Sequence, residues 1–142
     1  MPDDVRIEKT TWAEDESALR AVRKTVFMDE QQVPEELEWD GEDETAVHLL
    51  ARTSAGEVVG CARILRDGHI GRMAVLRQWR QRGIGRALLR QAIVVVTALG
   101  CREAFLDAQT HALPFYEQEG FHAQGDVFMD AGIAHRHMRR EL

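Results

Sequence analysis

Arg80, Gly83 and Gly85 are spaced Arg-x-x-Gly-x-Gly where a strand-like run, Ile70 to Val75, gives way to a long apolar run that stops at Gly100. Glycines at a strand-to-helix turn let main-chain N–H groups approach a ligand, and a helix start leaves further N–H groups unpaired and pointing the same way. The partial positive charge of a helix N-terminus favours an anion there by roughly 0.3–1 kcal/mol for an exposed charge. Gln81 and Ile84 fill the turn, and Arg80, Arg82 and Arg86 add full positive charge to it. The stretch from Arg80 to Arg86 therefore reads as a seat for a pyrophosphate. Tyr116, the only tyrosine, has a phenol with an ordinary pKa of about 10 that can give up a proton. Glu30, His48 and His111 are candidates to accept one, although a lone histidine is more often a hydrogen-bonded structural residue.

These residues need a scaffold. Val5-Arg6-Ile7 is a short alternating first strand. Asp15 or Ser17 is expected to cap a helix whose apolar positions Leu19, Val22, Val26 and Phe27 recur at helical spacing and which ends before Val33-Pro34. Ala46–Arg52, Val58–Leu65 and His69–Leu76 form an antiparallel meander, with Asp67-Gly68 as a hairpin signal. The helix after Gly83 places Ile84, Leu88, Ala92, Val95 and Leu99 on one face, and Gly100 ends it. The next strand, Ala104–Gln109, is expected to pair parallel to the Ile70 strand through a right-handed crossover. Pro114 suits the first turn of a short helix, and a hairpin around Asp130-Ala131-Gly132 closes the chain. The expected class is α/β (mixed α+β), a mainly antiparallel twisted sheet with one parallel βαβ unit and flanking helices, in one domain over residues 1–142.

Composition narrows the function. The chain has 142 residues, 44% of them hydrophobic, and a formal net charge of −6, which argues against a general nucleic-acid or anionic-membrane binder. Cys61 and Cys101 lack the spacing of a disulfide framework or zinc knuckle. His135 and His137 are expected on opposite faces of their strand, a poor metal pair, so no metal is predicted. The N-terminus is polar and no apolar run nears the roughly 20 residues of a membrane span, so a reducing cytoplasm is the expected location. Asp29 to Glu44 holds Asp29, Glu30, Glu35, Glu36, Glu38, Asp40, Glu42, Asp43 and Glu44 and no Lys or Arg. It is either a solvated loop or the border of a pocket for a cationic substrate.

Gly-x-Gly alone is a weak signal. A P-loop needs Lys and Ser or Thr where Arg86-Ala87 stand, and a dinucleotide fingerprint needs a third glycine at Leu88. Glu103 and Asp107 are about the right distance on for a ribose contact, which keeps a nucleotide-binding alternative. However, Arg80-x-x-Gly83-x-Gly85 resembles the acyl-CoA pyrophosphate motif of the GCN5-related N-acetyltransferases, and Pro114-Phe115-Tyr116-Glu117-x-x-Gly120-Phe121 is similar to that family's second hallmark. Val26-Phe27-x-x-Glu30-Gln31-x-Val33-Pro34, Glu38-x-Asp40 and Gly132-Ile133-x-His135-x-x-Met138 further resemble a small bacterial branch, the ElaA/YjcF-like acetyltransferases. Ala134 stands where that branch often has Pro.

The resemblance implies transfer of an acetyl group from acetyl-CoA to a primary amine by direct attack, with no metal. It implies that main-chain groups of Met73, Ala74 and Val75 pair with the pantetheine arm, and that the N–H of Ala74 or Val75 is then offered to the oxyanion, worth about 3 kcal/mol in barrier. Arg80, Gln81, Arg82, Gly83, Ile84, Gly85 and Arg86 would hold the pyrophosphate. Tyr116 would be the general acid toward the leaving thiolate, with Glu30, within the branch motif, or His111 as base. The acid-rich run points to a small cationic amine or a lysine side chain as partner, the net charge of −6 to no nucleic acid or membrane, and a homodimer is a further expectation. A CoA-binding sensor without turnover is the main alternative.

Overall fold

The structure, a computed structural model, describes residues 4–142. Strand β1 (Val5–Thr10) leads into helix α1 (Trp12–Arg23), a π-helical segment (Lys24–Glu30) and a single-turn helix α2 (Glu35–Glu38). Strands β2 (Val47–Thr53), β3 (Val58–Ile64) and β4 (Ile70–Val75) follow, then helix α3 (Ile84–Ala98), strand β5 (Glu103–Gln109), helix α4 (Leu113–Glu117) and strands β6 (His122–Asp130) and β7 (Ile133–Glu141). Two antiparallel sheets result, in the orders β1-β2-β3-β4 and β5-β7-β6.

Strand alternation separates two cores. Val47, Leu49 and Ala51 of β2 pack with Ile84, Leu88, Leu89, Ala92 and Val96 of α3, whereas Leu50 packs with Trp12, Leu19 and Val22 of α1 on the other face. Each fully buried Leu, Ile or Val contributes roughly 1.5–3 kcal/mol. The predicted stop at Gly100 is present, at φ +85°. The last hairpin turns at Ala131 (φ +52°) and Gly132 (φ +76°), the two positive φ values of a type I′ turn.

The expected cap of α1 is corrected. Thr11, not Asp15 or Ser17, caps α1, its side chain accepting from Glu14 N–H at 3.2 Å. Asp15 instead sits at a kink with φ −130° and pairs with Thr10 and Arg52. The first helix ends before Val33-Pro34 as expected, widening to π geometry at Lys24 and stopping at Glu30. Finally, parallel pairing of β4 with β5 is confined to one bridge, His69 to Phe105, where Phe105 N–H donates to Gly68 O at 3.1 Å. Beyond it the strands separate. The cause is in β4, where the register with β3 slips between Cys61 and Arg63 and Arg72 takes φ +47°, and such a bulge bends and twists its strand away from a neighbour. Gly68 is required at the join, since it has φ +101° and a Cβ there would lie 2.7 Å from Glu103 O.

Candidate active site

The separation of β4 from β5 opens a cleft of about 780 Å³. Residues Ile70–Val75 form one wall and Leu106, Asp107 and Gln109 the other; Glu30 and Gln31 reach in from the π segment's end, and Phe115 and Tyr116 from α4. A second cavity of about 460 Å³ lies over Gln81, Gly83, Ile84 and Arg86. The two share Val75, Arg80, Gly85 and Phe115, so they form one groove from the bulge of β4 to the start of α3.

At the far end Gly83, at φ +83°, starts α3 without a side-chain cap. Ala87 N–H donates to Gly83 O at 3.1 Å, but among the described residues the N–H groups of Ile84, Gly85 and Arg86 have no acceptor. Gly85 leaves room beside Phe115, whose Cζ would be 3.5 Å from a Cβ at that position. The Arg82 guanidinium lies 4.9 Å from the Trp79 ring centre, and Arg86 pairs with Glu119 at 3.5 Å.

Arg80 is already engaged. Its Nε donates to Val75 O at 2.9 Å, and Nη1 and Nη2 donate to Glu30 Oε1 and Oε2 at 2.6 and 2.9 Å. Of an arginine's five N–H donors, that leaves two to face an incoming group. The Arg80 hydrogen bonds hold the Glu30 carboxyl below its ordinary range, with Arg77 adding to the effect. Glu30 is thus an anion whose lone pairs are committed to arginine, which makes it a weak proton acceptor in this arrangement.

Tyr116 lies edge-on to Phe115 and Phe121, ring centres 5.0 and 6.2 Å away, and its hydroxyl has no hydrogen-bond partner among the described residues. Burial pushes its phenol up to about 12, so it stays a proton donor throughout the neutral range. His111 is exposed and borders the cleft. His48 is not in the cleft. It is buried 5.5 Å from Trp12, its Nε2 2.9 Å from Asp43 O, and burial lowers its pKa. The side chains of Met73 and Val75 pack against the core, as expected, and Ala74 is buried. With β5 displaced, the outer edge of β4 at Gly71–Val75 has no strand partner among the described residues.

The acidic run is neither wholly solvated nor a free cation trap. Glu38, 2% exposed, takes Arg23 Nε at 2.7 Å and lies 3.1 Å from Arg72 Nε. Asp40 receives both Nη groups of Arg63 at 2.8 Å, and Asp43 pairs with Arg23 and Arg63. Three acids and three arginines neutralise one another and fasten the loop to the sheet. Leu37 and Glu38 do border the cleft, whereas Glu35 and Glu36 are exposed outside it.

Sequence reasoning missed a second cluster. Asp107 Oδ1 lies 3.0 Å from His137 Nδ1, and Oδ2 lies 4.0 Å from His69 Nε2. His69 stacks on Phe105 at 4.8 Å. The signal was available, because Ala104, Leu106 and Ala108 are the apolar face of β5, so Phe105, Asp107 and Gln109 must share the other. His135 and His137, two apart in β7 and paired with Gln109 and Asp107, lie on that same face; the expectation of opposite faces was wrong because strand side chains repeat every two residues.

The arrangement matches known proteins. A family model described as an acetyltransferase (GNAT) domain fits residues 11–142. The chain is a member of the GNAT family. It is similar to the uncharacterized N-acetyltransferase YjcF of Bacillus subtilis, 33% identical over 124 residues that span 84% of this chain and 88% of that protein. Escherichia coli ElaA is 29% identical with a TM-score of 0.86, and an acyl-CoA N-acyltransferase from Pseudomonas aeruginosa is 30% identical with a TM-score of 0.84; each alignment covers 96% of this chain and 99% of the other. The likeness supports the ElaA/YjcF-like branch and places the chain among GNAT-type acyl-CoA N-acyltransferases. In this GNAT fold the three branch-like segments converge, since Phe27, Glu30, Gln31, Val33, Glu38, Ile133 and His135 all line the cleft. Gln109 Nε2 donates to Gln31 Oε1 at 2.9 Å across it.

Proposed function

We propose that residues 1–142 act as one N-acetyltransferase domain that moves an acetyl group from acetyl-CoA to a primary amine by direct attack. The acceptor is a small cationic amine or a lysine side chain. The observation that carries this reading is the groove, with unpaired N–H groups of α3 at one end and an open strand edge of β4 along its side. Unpaired amides at a helix start suit a pyrophosphate, and Arg82, Arg86 and the two remaining donors of Arg80 add charge-assisted contacts. The edge of Met73, Ala74 and Val75 suits an extended amide-bearing arm, which would add to the sheet as a strand does.

Tyr116 then faces the reacting end from α4 and gives its proton to sulfur as the carbon–sulfur bond breaks. The N–H of Ala74 or Val75 stabilises the oxyanion, a contact worth about 3 kcal/mol. The fit is tested by thermal stabilisation with acetyl-CoA, NAD and ATP separately, then by free-thiol release over a panel of amines. A shift with acetyl-CoA alone and thiol release with at least one amine are expected. Stabilisation without product from any amine would favour a CoA-binding sensor, and no stabilisation by acetyl-CoA would remove both readings.

A further inference from the structure

We propose that Asp107 and His69 together form the seat and proton acceptor for the substrate's ammonium group, with His137 holding Asp107 in place. The inference deepens the acetyltransferase reading and rests on it. Asp107 and His69 both line the cleft, on the β5 side and at the join of the two sheets. The cleft's other carboxylates are differently placed. Glu30 is held by Arg80, Glu38 by Arg23 and Arg72, and Asp130, exposed as Asp107 also is, stands at the tip of the closing hairpin and not at the join of the sheets. Among the described residues Asp107 has no arginine partner; His137 Nδ1 is bonded to it at 3.0 Å and His69 Nε2 faces it at 4.0 Å.

The 4.0 Å between Asp107 Oδ2 and His69 Nε2 is too long for a hydrogen bond. It suits a third group, because a nitrogen about 2.9 Å from each atom would subtend roughly a right angle, within reach of two N–H bonds of one ammonium. Stacking on Phe105 fixes the His69 ring, and Asp67 Oδ1 accepts its main-chain N–H at 3.2 Å. Burial lowers the His69 pKa; Asp107 and Asp67 oppose this while Arg63 and Arg72 reinforce it. Burial thus keeps His69 neutral at pH 7, which leaves a free lone pair for a proton and makes it a weaker base than a solvated imidazole.

The ammonium gives one proton to His69 Nε2, which passes it to solvent. The freed amine attacks the thioester carbon, the carbon–sulfur bond breaks, and sulfur takes the Tyr116 proton. The nitrogen's second proton returns to the tyrosinate through water, leaving amide, free thiol and one proton released.

His69→Gln, Asp107→Asn and His137→Gln are compared with wild type, with 1,4-diaminobutane and N-α-acetyllysine as probes. His69→Gln should lower kcat/KM for the amine at least tenfold and remove the acidic limb of its pH profile. Asp107→Asn should raise the amine KM. His137→Gln, acting only through Asp107, should give a smaller change that His137→Asn partly restores, since Asn keeps a donor near the Nδ1 position. Acetyl-CoA KM and thermal stabilisation should stay at wild-type values in all variants. In parallel, 1,4-diaminobutane should shift the His69 and His137 ring resonances of the CoA complex, and Asp107→Asn should abolish the shift. Wild-type amine kinetics with an intact acidic limb in His69→Gln would overturn the proposal. So would unmoved histidine resonances, even where neither probe is turned over. Loss of acetyl-CoA stabilisation in wild type would instead mark failure of the acetyltransferase reading.

Discussion

Tyr116→Phe removes one hydroxyl and keeps the ring contacts with Phe115 and Phe121, so it separates chemistry from packing. The Tyr116 phenol stands at about 12. A solvated thiol ionises near 8.5, so proton transfer from this phenol to such a thiolate would be uphill by roughly 3.5 pK units, about 5 kcal/mol. That mismatch narrows if the leaving sulfur is itself desolvated. The protein provides its own measure, because burial pushes the Cys61 thiol up to about 12. Cys61 is wholly enclosed whereas the cleft is open to solvent, so Cys61 marks the upper limit and a sulfur leaving in the cleft narrows the mismatch in proportion to its burial. General acid catalysis is then worth about 10²–10⁴, and kcat in Tyr116→Phe should fall at least about tenfold with donor KM unchanged. The assay is free-thiol release at saturating acetyl-CoA and amine. Wild-type activity should show no alkaline limb from this tyrosine up to pH 10, since its neutral form persists to about 12. A fully active Phe variant would refute the role, and a tyrosine limb near pH 10 would refute the matching.

Gly83→Ala should lose about 1–2 kcal/mol of stability from its φ of +83° and weaken acetyl-CoA binding in calorimetry, whereas Gly85→Ala, with Phe115 Cζ at 3.5 Å, should keep wild-type stability. Glu38→Gln leaves Arg23 and Arg72 undercompensated in a buried site and should cost about 3–5 kcal/mol in chemical denaturation, while Glu35→Gln and Glu36→Gln should change stability by less than about 0.5 kcal/mol. Acid should loosen the same loop in two steps. Burial keeps His48 neutral in the fold, so stability declines as pH drops below about 6.5, where the unfolded histidine charges. Burial would raise Asp40, but Arg63 and the Glu42 N–H bring it down to about 2, so its contribution is complete above about 3.8 and lost from there toward 2. Denaturation midpoints across pH 2–8 check both steps.

The elements that local chemistry dictates were legible. Asp67-Gly68, Gly100 and Ala131-Gly132 marked their turns because those backbone shapes select few residue types. The start of α1 was misread because Thr11, Asp15 and Ser17 are all competent caps, and only the fold reveals that Asp15 is drawn to Thr10 and Arg52. The π segment was invisible, because Val26 and Phe27 satisfy a period of 3.6 as well as a wider one. The fate of the acidic run depended on Arg63 and Arg72, more than twenty residues away in the chain. In the site, the glycine turn announced itself by spacing. Asp107 and His69 did not, since they come from separate strands and meet only where β4 and β5 touch.

The main-chain link between β4 and β5, next to Gly68, has a consequence for how this protein can diversify. The amide-rich turn and its arginines stand on the first sheet and α3; Asp107, His135 and His137 stand on the second sheet. The two sheets share one main-chain bridge and one apolar core, whereas most of β6 in the closing hairpin is exposed and outside that core. On the proposed reading, replacements at exposed positions of that hairpin would change the amine end of the cleft and leave the amide-rich turn as it is.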